Sequence, residues 1–183
     1  MPPKLQNRLK SVLWIILPLI LFSFISNRMA DSPVSVNEGT YVLTASSGTQ
    51  KEITGTVAFR EREVVSKNGH LLNVLQISFN DDNLEQALNM EFLISVRSDN
   101  EAITEGKYYV NRYISGFVSE FNGVFGYANL HSQGEEPYFS KTGHLHLSSK
   151  SDKVIKGNMD VSLQDADGKK LQLQGSFSAL REY

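Results

Sequence analysis

The segment ITGTVAFREREVVSKNGHLLNVLQISF, Ile53 to Phe79, decides the fold. Apolar residues at Ile53, Val57 and Phe59, and again at Leu75, Ile77 and Phe79, follow a period of two, that of a strand whose alternate side chains share a face. Between the two runs lies Lys67-Asn68-Gly69. A two-residue turn at Asn68-Gly69 would set Phe59 opposite Ser78, burying one partner and exposing the other. A three-residue loop, with Gly69 in the left-handed conformation of a bulge, instead pairs Val65 with Leu71, Phe59 with Ile77 and Val57 with Phe79. All three pairs are apolar, so this is the expected hairpin.

The same device recurs near the C-terminus. A loop at Ala166-Asp167-Gly168 pairs Leu163 with Leu171, Val161 with Leu173, and Gly157 with Phe177, whose ring can cover the bare glycine. Alternation is also plain in Leu88, Met90, Phe92, Ile94 and Val96 and in Met159, Val161 and Leu163. Further candidate strands at 41–45, 107–113, 117–127 and 142–148 bring the count to about nine, with only Asp82 to Leu88 briefly helical in pattern. Consecutive strands joined by short polar loops predict an all-β antiparallel meander. So many strands must close as a β-barrel or fold as a β-sandwich to protect their edges.

Ahead of this domain, Lys4, Arg8 and Lys10 precede an apolar stretch from Val12 to Ile25 broken only by Pro18 and Ser23. A cationic segment before an apolar one is the pattern of an export signal, so residues 1–30 read as a signal peptide or membrane anchor. Cleavage after Ala30 or Ser26 would put Arg28 or Phe24 at the −3 position, where a small residue is needed. An uncleaved anchor over residues 11–26 is the competing reading, although as a helix it reaches only about 24 Å against roughly 30 Å of hydrocarbon. A helix packed on the domain would have to explain the missing polar face. Residues 31–39 are short and polar and read as a linker, and 40–183 as the β domain. The expected location is therefore the periplasm or another extracytoplasmic space, with an inner-membrane tether if the segment persists.

Composition narrows the function classes. The 183 residues contain no cysteine, which removes disulfides, thiolate metal sites and a lipid-modified cysteine. Beyond residue 30 the chain holds 14 Lys and Arg against all 20 acidic side chains, with no basic block, so nucleic acid is not an expected partner. No phosphate-binding loop, nucleophile elbow, zinc-protease helix or dinucleotide fingerprint is present, and no cofactor is expected.

Three groups of residues remain as candidates. Tyr109, Tyr113, Phe117 and Phe125 belong to an aromatic-rich region and could line a cavity for a small apolar ligand, or simply fill a core. The glycines 116, 123 and 126 in that region mark a bent strand. His144 and His146 flank Leu145 in a strand and point the same way, as two metal ligands can, with His131, Glu135 and Glu136 as further donors. A five-residue loop from Ser149 to Lys153 would put Lys156 opposite His146, which argues against a cation there. Asp165-Ala166-Asp167-Gly168 has the opening of a calcium loop but Ser176 where a bidentate Glu is needed, and the hairpin accounts for it. Glu61 and Glu63 share a strand face, with Glu61 opposite Leu75 and Glu63 opposite Asn73, on the continuation of the apolar side.

Gly106-Lys107-Tyr108-Tyr109, Gly143-His144-Leu145-His146-Leu147, Ile155-Lys156-Gly157-Asn158-Met159 and the run from Asp167 to Phe177 occur in an order that resembles small exported bacterial β-rich envelope proteins, mostly lipoproteins, of a domain-of-unknown-function type. The resemblance covers about the last hundred residues and implies an envelope location. It supplies no catalytic residues, and the chain lacks the lipobox cysteine. The expected function is a non-enzymatic envelope module that binds a small apolar molecule or a protein partner. A hydrolase using His144 and His146 and a purely structural envelope protein are the alternatives.

Overall fold

Strands form across most of the alternating stretches, with the 107–113 and 117–127 candidates matched only in Gly106–Tyr109 and Gly123–Leu130 and residues 112–120 outside the described ones, and the strand pairing selects the barrel. The computed structural model describes residues 36–81, 88–97, 102–111, 121–130 and 136–182. These form β1 (Thr40–Ser47), β2 (Thr49–Val65), β3 (Leu71–Asp81), β4 (Leu88–Arg97), β5 (Gly106–Tyr109), β6 (Gly123–Leu130), β7 (Tyr138–Lys150), β8 (Val154–Gln164) and β9 (Lys170–Arg181). The N-terminal hydrophobic segment lies outside the described residues, as does the helical reading of Asp82 to Leu88 apart from Leu88, which opens β4. Among the described residues no helix is long and apolar enough to cross a membrane.

Eight strands close a ring: β1 to β4 as a meander, β4 to β6, β6 to β7, then β7 to β8 to β9 and back to β1, every neighbour antiparallel. Closure removes free edges, the liability of an open sheet. Two places depart from a simple ring. β6 and β7 share only Tyr127↔Phe139 and Ala128↔Tyr138, because the upper part of β7 pairs with β5 instead, from Gly106↔Leu147 to Tyr109↔His144. The second is at the start of the short β1, beyond which β2 and β9 meet directly, in parallel, at Ala58↔Leu180 and Phe59↔Arg181. Gly39 knits that junction, its N–H donating to the Ser178 carbonyl (2.6 Å) and its carbonyl accepting from Val57 N–H (2.8 Å).

Both hairpin registers follow the expectation. Val65↔Leu71, Phe59↔Ile77 and Val57↔Phe79 pair across β2 and β3, and Leu163↔Leu171, Val161↔Leu173 and Gly157↔Phe177 across β8 and β9. The two loops are built alike. Gly69 and Gly168 adopt φ of +81° and +85°, and their N–H groups donate to the Ser66 and Asp165 carbonyls. The Ser66 hydroxyl then accepts from His70 N–H (3.0 Å), as the Asp165 carboxylate does from Lys169 N–H (2.8 Å). Such side-chain acceptors satisfy backbone donors that a bulged loop would leave open. One oxygen of the Asp165 carboxylate is thus engaged by its own turn.

The β7–β8 register differs from the expectation: His146 faces Asn158, and Lys156 faces Ser149. A register shift between Leu147 and Ser149 inserts one residue into β7, and a bulge of that kind leaves the inward and outward pattern before it unchanged.

The interior is filled by side chains. Phe79 sits at its centre, in edge-to-face contact with Tyr41 (ring centroids 5.2 Å), Phe177 (5.7 Å) and Phe92 (6.1 Å), and all four rings are buried. Such contacts add about 0.5–1.5 kcal/mol each beyond area burial. Two glycines make room for the rings. A Cβ at Gly157 would lie 2.8 Å from Phe177 Cζ, and one at Gly126 would collide with the Phe92 ring.

Candidate functional site

The inward face of β2 runs out of apolar residues at Phe59, and the next inward position is Glu61. A carboxylate that continues an apolar row at a barrel end must find partners or remain solvated. Glu61 finds two. Lys150 Nζ, at the end of β7, lies 2.8 Å from Glu61 Oε1, and Arg181 Nη2, at the end of β9, lies 2.6 Å from Glu61 Oε2. The three side chains are only 21–29% exposed. Arg181 is held further by its guanidinium carbon 5.2 Å above the Phe59 ring and by Nε donating to the Asp152 carbonyl. Burial pushes the Glu61 carboxyl up, but hydrogen bonds and charge from Lys150, then Arg181, outweigh it and hold the group below its ordinary range.

Beside this trio lies a groove of about 490 Å³, bordered by Glu61, Glu63, Asn73, Val74, Ile103 and Lys150. A second depression of about 420 Å³ adjoins it across Ala102, Ile103 and Lys150. Ile103 is packed into the barrel core, and the Glu105 carboxylate accepts from Lys150 N–H (3.1 Å). The groove therefore has an apolar wall, an ion-paired floor and a second carboxylate, Glu63.

Of the candidate aromatic residues, Tyr109 and Phe125 are described, and both lie on the outer surface. Tyr109 is 64% exposed on β5, with its ring 6.0 Å from that of His144. Phe125 sits half-buried on the outer face of β6, in a separate cluster with Leu72, Val74, Leu93 and Phe121, and stacks on Phe139 with ring centroids 6.3 Å apart. Tyr113 and Phe117 lie outside the described residues. Of the glycines in that region, Gly123 has φ of +122° and Gly126 lies beneath the Phe92 ring, while β6 pairs with β4 in one unbroken register; Gly116 is outside the described residues.

His144 and His146 both point outward from β7, since Leu145 and Leu147 occupy the buried face. His146 faces Lys107 across β5 and His144 faces Asp160 across β8. Burial and the charge of Lys107 push the His144 imidazole below its ordinary value, against the opposing pull of Asp160 and with a smaller push from His146. Among the described residues no three His, Asp or Glu side chains stand close enough together to hold a metal ion. His131 and Glu135 are outside them.

No family model matches the chain, and neither a curated protein nor a solved structure matches it.

Sequence reasoning places Glu61 on the apolar face but misses its partners. Positions in β2, β7 and β9, far apart along the chain, meet only when the ring closes. The one available signal is an acid at an inward position with no cation opposite it in its own hairpin.

Proposed function

We propose that this chain is a non-enzymatic binding module of the cell envelope, exported or tethered by residues 1–30, that takes a small ligand with an apolar body and a polar head at the open end of its barrel. The groove beside Glu61, Lys150 and Arg181 carries this reading. It joins an apolar wall, Ala102 and Ile103, to polar groups that are already ion-paired and so pre-organised. The barrel middle, occupied by Phe79 and its neighbours, favours the rim over the interior as the binding place. The cationic and apolar leader supports the envelope location.

Native mass spectrometry of the full chain purified from its own host tests the reading. A retained small molecule is expected with the natural sequence and is lost from Ala102→Trp, which fills the groove from an exposed position. A natural chain that retains nothing, or an Ala102→Trp variant that retains the same molecule, overturns it.

A further inference from the structure

On the outer surface, away from the groove, one row of side chains crosses four strands: Tyr109 of β5, His144 of β7, Asp160 of β8 and Gln174 of β9, each directly opposite the next. Neighbouring strands lie about 4.8 Å apart, so the row is roughly 14 Å long. We propose that this row, with Gln172, is a binding site for a neutral oligosaccharide, one sugar ring resting on Tyr109 and its neighbours' hydroxyls held by His144, Asp160 and the two glutamines.

Three observations carry the assignment. The first is the exposed ring at the end of the row. An aromatic face is electron-rich and attracts the polarised C–H face of a pyranose, while shedding water from an apolar surface. The second is the carboxylate. Asp160 accepts a hydrogen bond from Gln172 Nε2, and among the described residues no Lys or Arg forms an ion pair with it. It is thus oriented by an amide and keeps acceptor capacity for adjacent hydroxyls, which a carboxylate can take in pairs. The third is charge balance. The row and its neighbour, Lys107, His146 and Asn158, carry one carboxylate and one ammonium. A near-neutral face of amides, imidazoles and a phenol complements a neutral polyol. An anionic polymer or headgroup would need a cation cluster, which the described residues of these two rows do not supply. His144, pushed toward the neutral imidazole by burial and by Lys107, offers one donor and one acceptor, which is what a hydroxyl group asks for.

The site is independent of the groove, and the test keeps the two apart. The full chain is titrated with neutral trisaccharides, chitotriose, cellotriose, maltotriose and laminaritriose, by isothermal titration calorimetry at low and high salt. At least one is expected to bind with an affinity insensitive to salt, to weaken roughly tenfold in Tyr109→Ala, to be retained in Tyr109→Phe and to weaken in Asp160→Asn. Ala102→Trp leaves it unchanged. Both variant positions face outward, so a lost signal is not a folding defect, and far-ultraviolet circular dichroism of each variant confirms this. Failure of all four sugars to bind, binding that survives Tyr109→Ala, or binding abolished by Ala102→Trp overturns the assignment.

Discussion

The β8–β9 hairpin and the seam where β6 meets β7 are made of the same materials, alternating residues interrupted by glycine, and they solve the backbone problem differently. β8 and β9 pair without interruption from Val154↔Leu180 to Gln164↔Lys170. β6 and β7 share two residue pairs before β5 intrudes. Where the ladder fails, a side chain replaces it: the buried Ser140 hydroxyl accepts the Gly126 N–H at 3.0 Å, beside a register shift between Ser140 and Thr142. A short loop dictates a register by geometry alone, whereas a strand inserted from elsewhere in the chain must be accommodated by particular side chains.

The largest expected effect is in the continuous half. Phe177 fills the space above Gly157 and touches the Phe79 ring, so Phe177→Ala should cost about 3–5 kcal/mol in urea unfolding. A cost below about 1 kcal/mol would mean the interior there is loosely filled, and the contrast with the seam would have no basis.

Next comes the seam itself. Ser140→Ala keeps the shape but leaves the Gly126 N–H buried without its acceptor, and should cost about 1–3 kcal/mol. Hydrogen exchange at the Gly126 amide should accelerate more than at any amide of β9. Ser162→Ala, on the half-buried outer face of β8, should stay within about 0.5 kcal/mol. Equal costs for the two serines would show that the hydroxyl is incidental to the seam.

Glu61 joins the two regions, since Arg181 belongs to β9 and Lys150 to the strand bordering the seam. Its folded carboxyl titrates below its ordinary value. The stabilisation is thus fully present above the unfolded carboxyl value near 4.3 and is lost as pH falls through the lower, folded one. Glu61→Gln should cost about 1.5 kcal/mol at neutral pH, allowing for solvent screening, and the gap to the natural protein should close on acidification. A gap that stays constant with pH would place the stabilisation in packing, not in charge.

What is legible in the sequence divides along the same line. Phe59 opposite Ile77 and Leu163 opposite Leu171 can be read because one glycine in each loop leaves a single register that keeps apolar residues together. The interposition of β5 cannot: four residues with two tyrosines suit any neighbour, and the choice of β7 depends on the whole ring closing. The sequence sets Lys156 against His146 because Ser148, Ser149 and Lys150 are all polar: the inserted residue moves the inward position from odd Leu147 to even Lys150, opposite Ile155, and without an apolar residue after Leu147 that switch leaves no mark in the pattern. The site follows suit. Glu61 is visible as an acid on an apolar face, while Lys150 and Arg181 read as ordinary strand-end cations.

The smallest effect tests whether the two hairpin loops are as alike as their bonding suggests. Gly69 and Gly168 have nearly the same positive φ, and a Cβ meets open space at Gly69 and only the Gln164 amide, at 3.3 Å, at Gly168. Alanine at either position then meets mainly backbone strain, about 1 kcal/mol in the left-handed region. Gly168→Ala should exceed Gly69→Ala by no more than a few tenths, because Gln164 is a half-buried side chain that can turn aside even though its Nε2 donates to the Gly168 carbonyl. The carboxylate of Asp165 makes the stronger acceptor of the two loop anchors, so Asp165→Ala should cost more than Ser66→Ala. If the glycine costs differ by more than about 1 kcal/mol in urea unfolding, the loops are not equivalent devices. The register of one hairpin would then rest on its flanking strands and not on its turn.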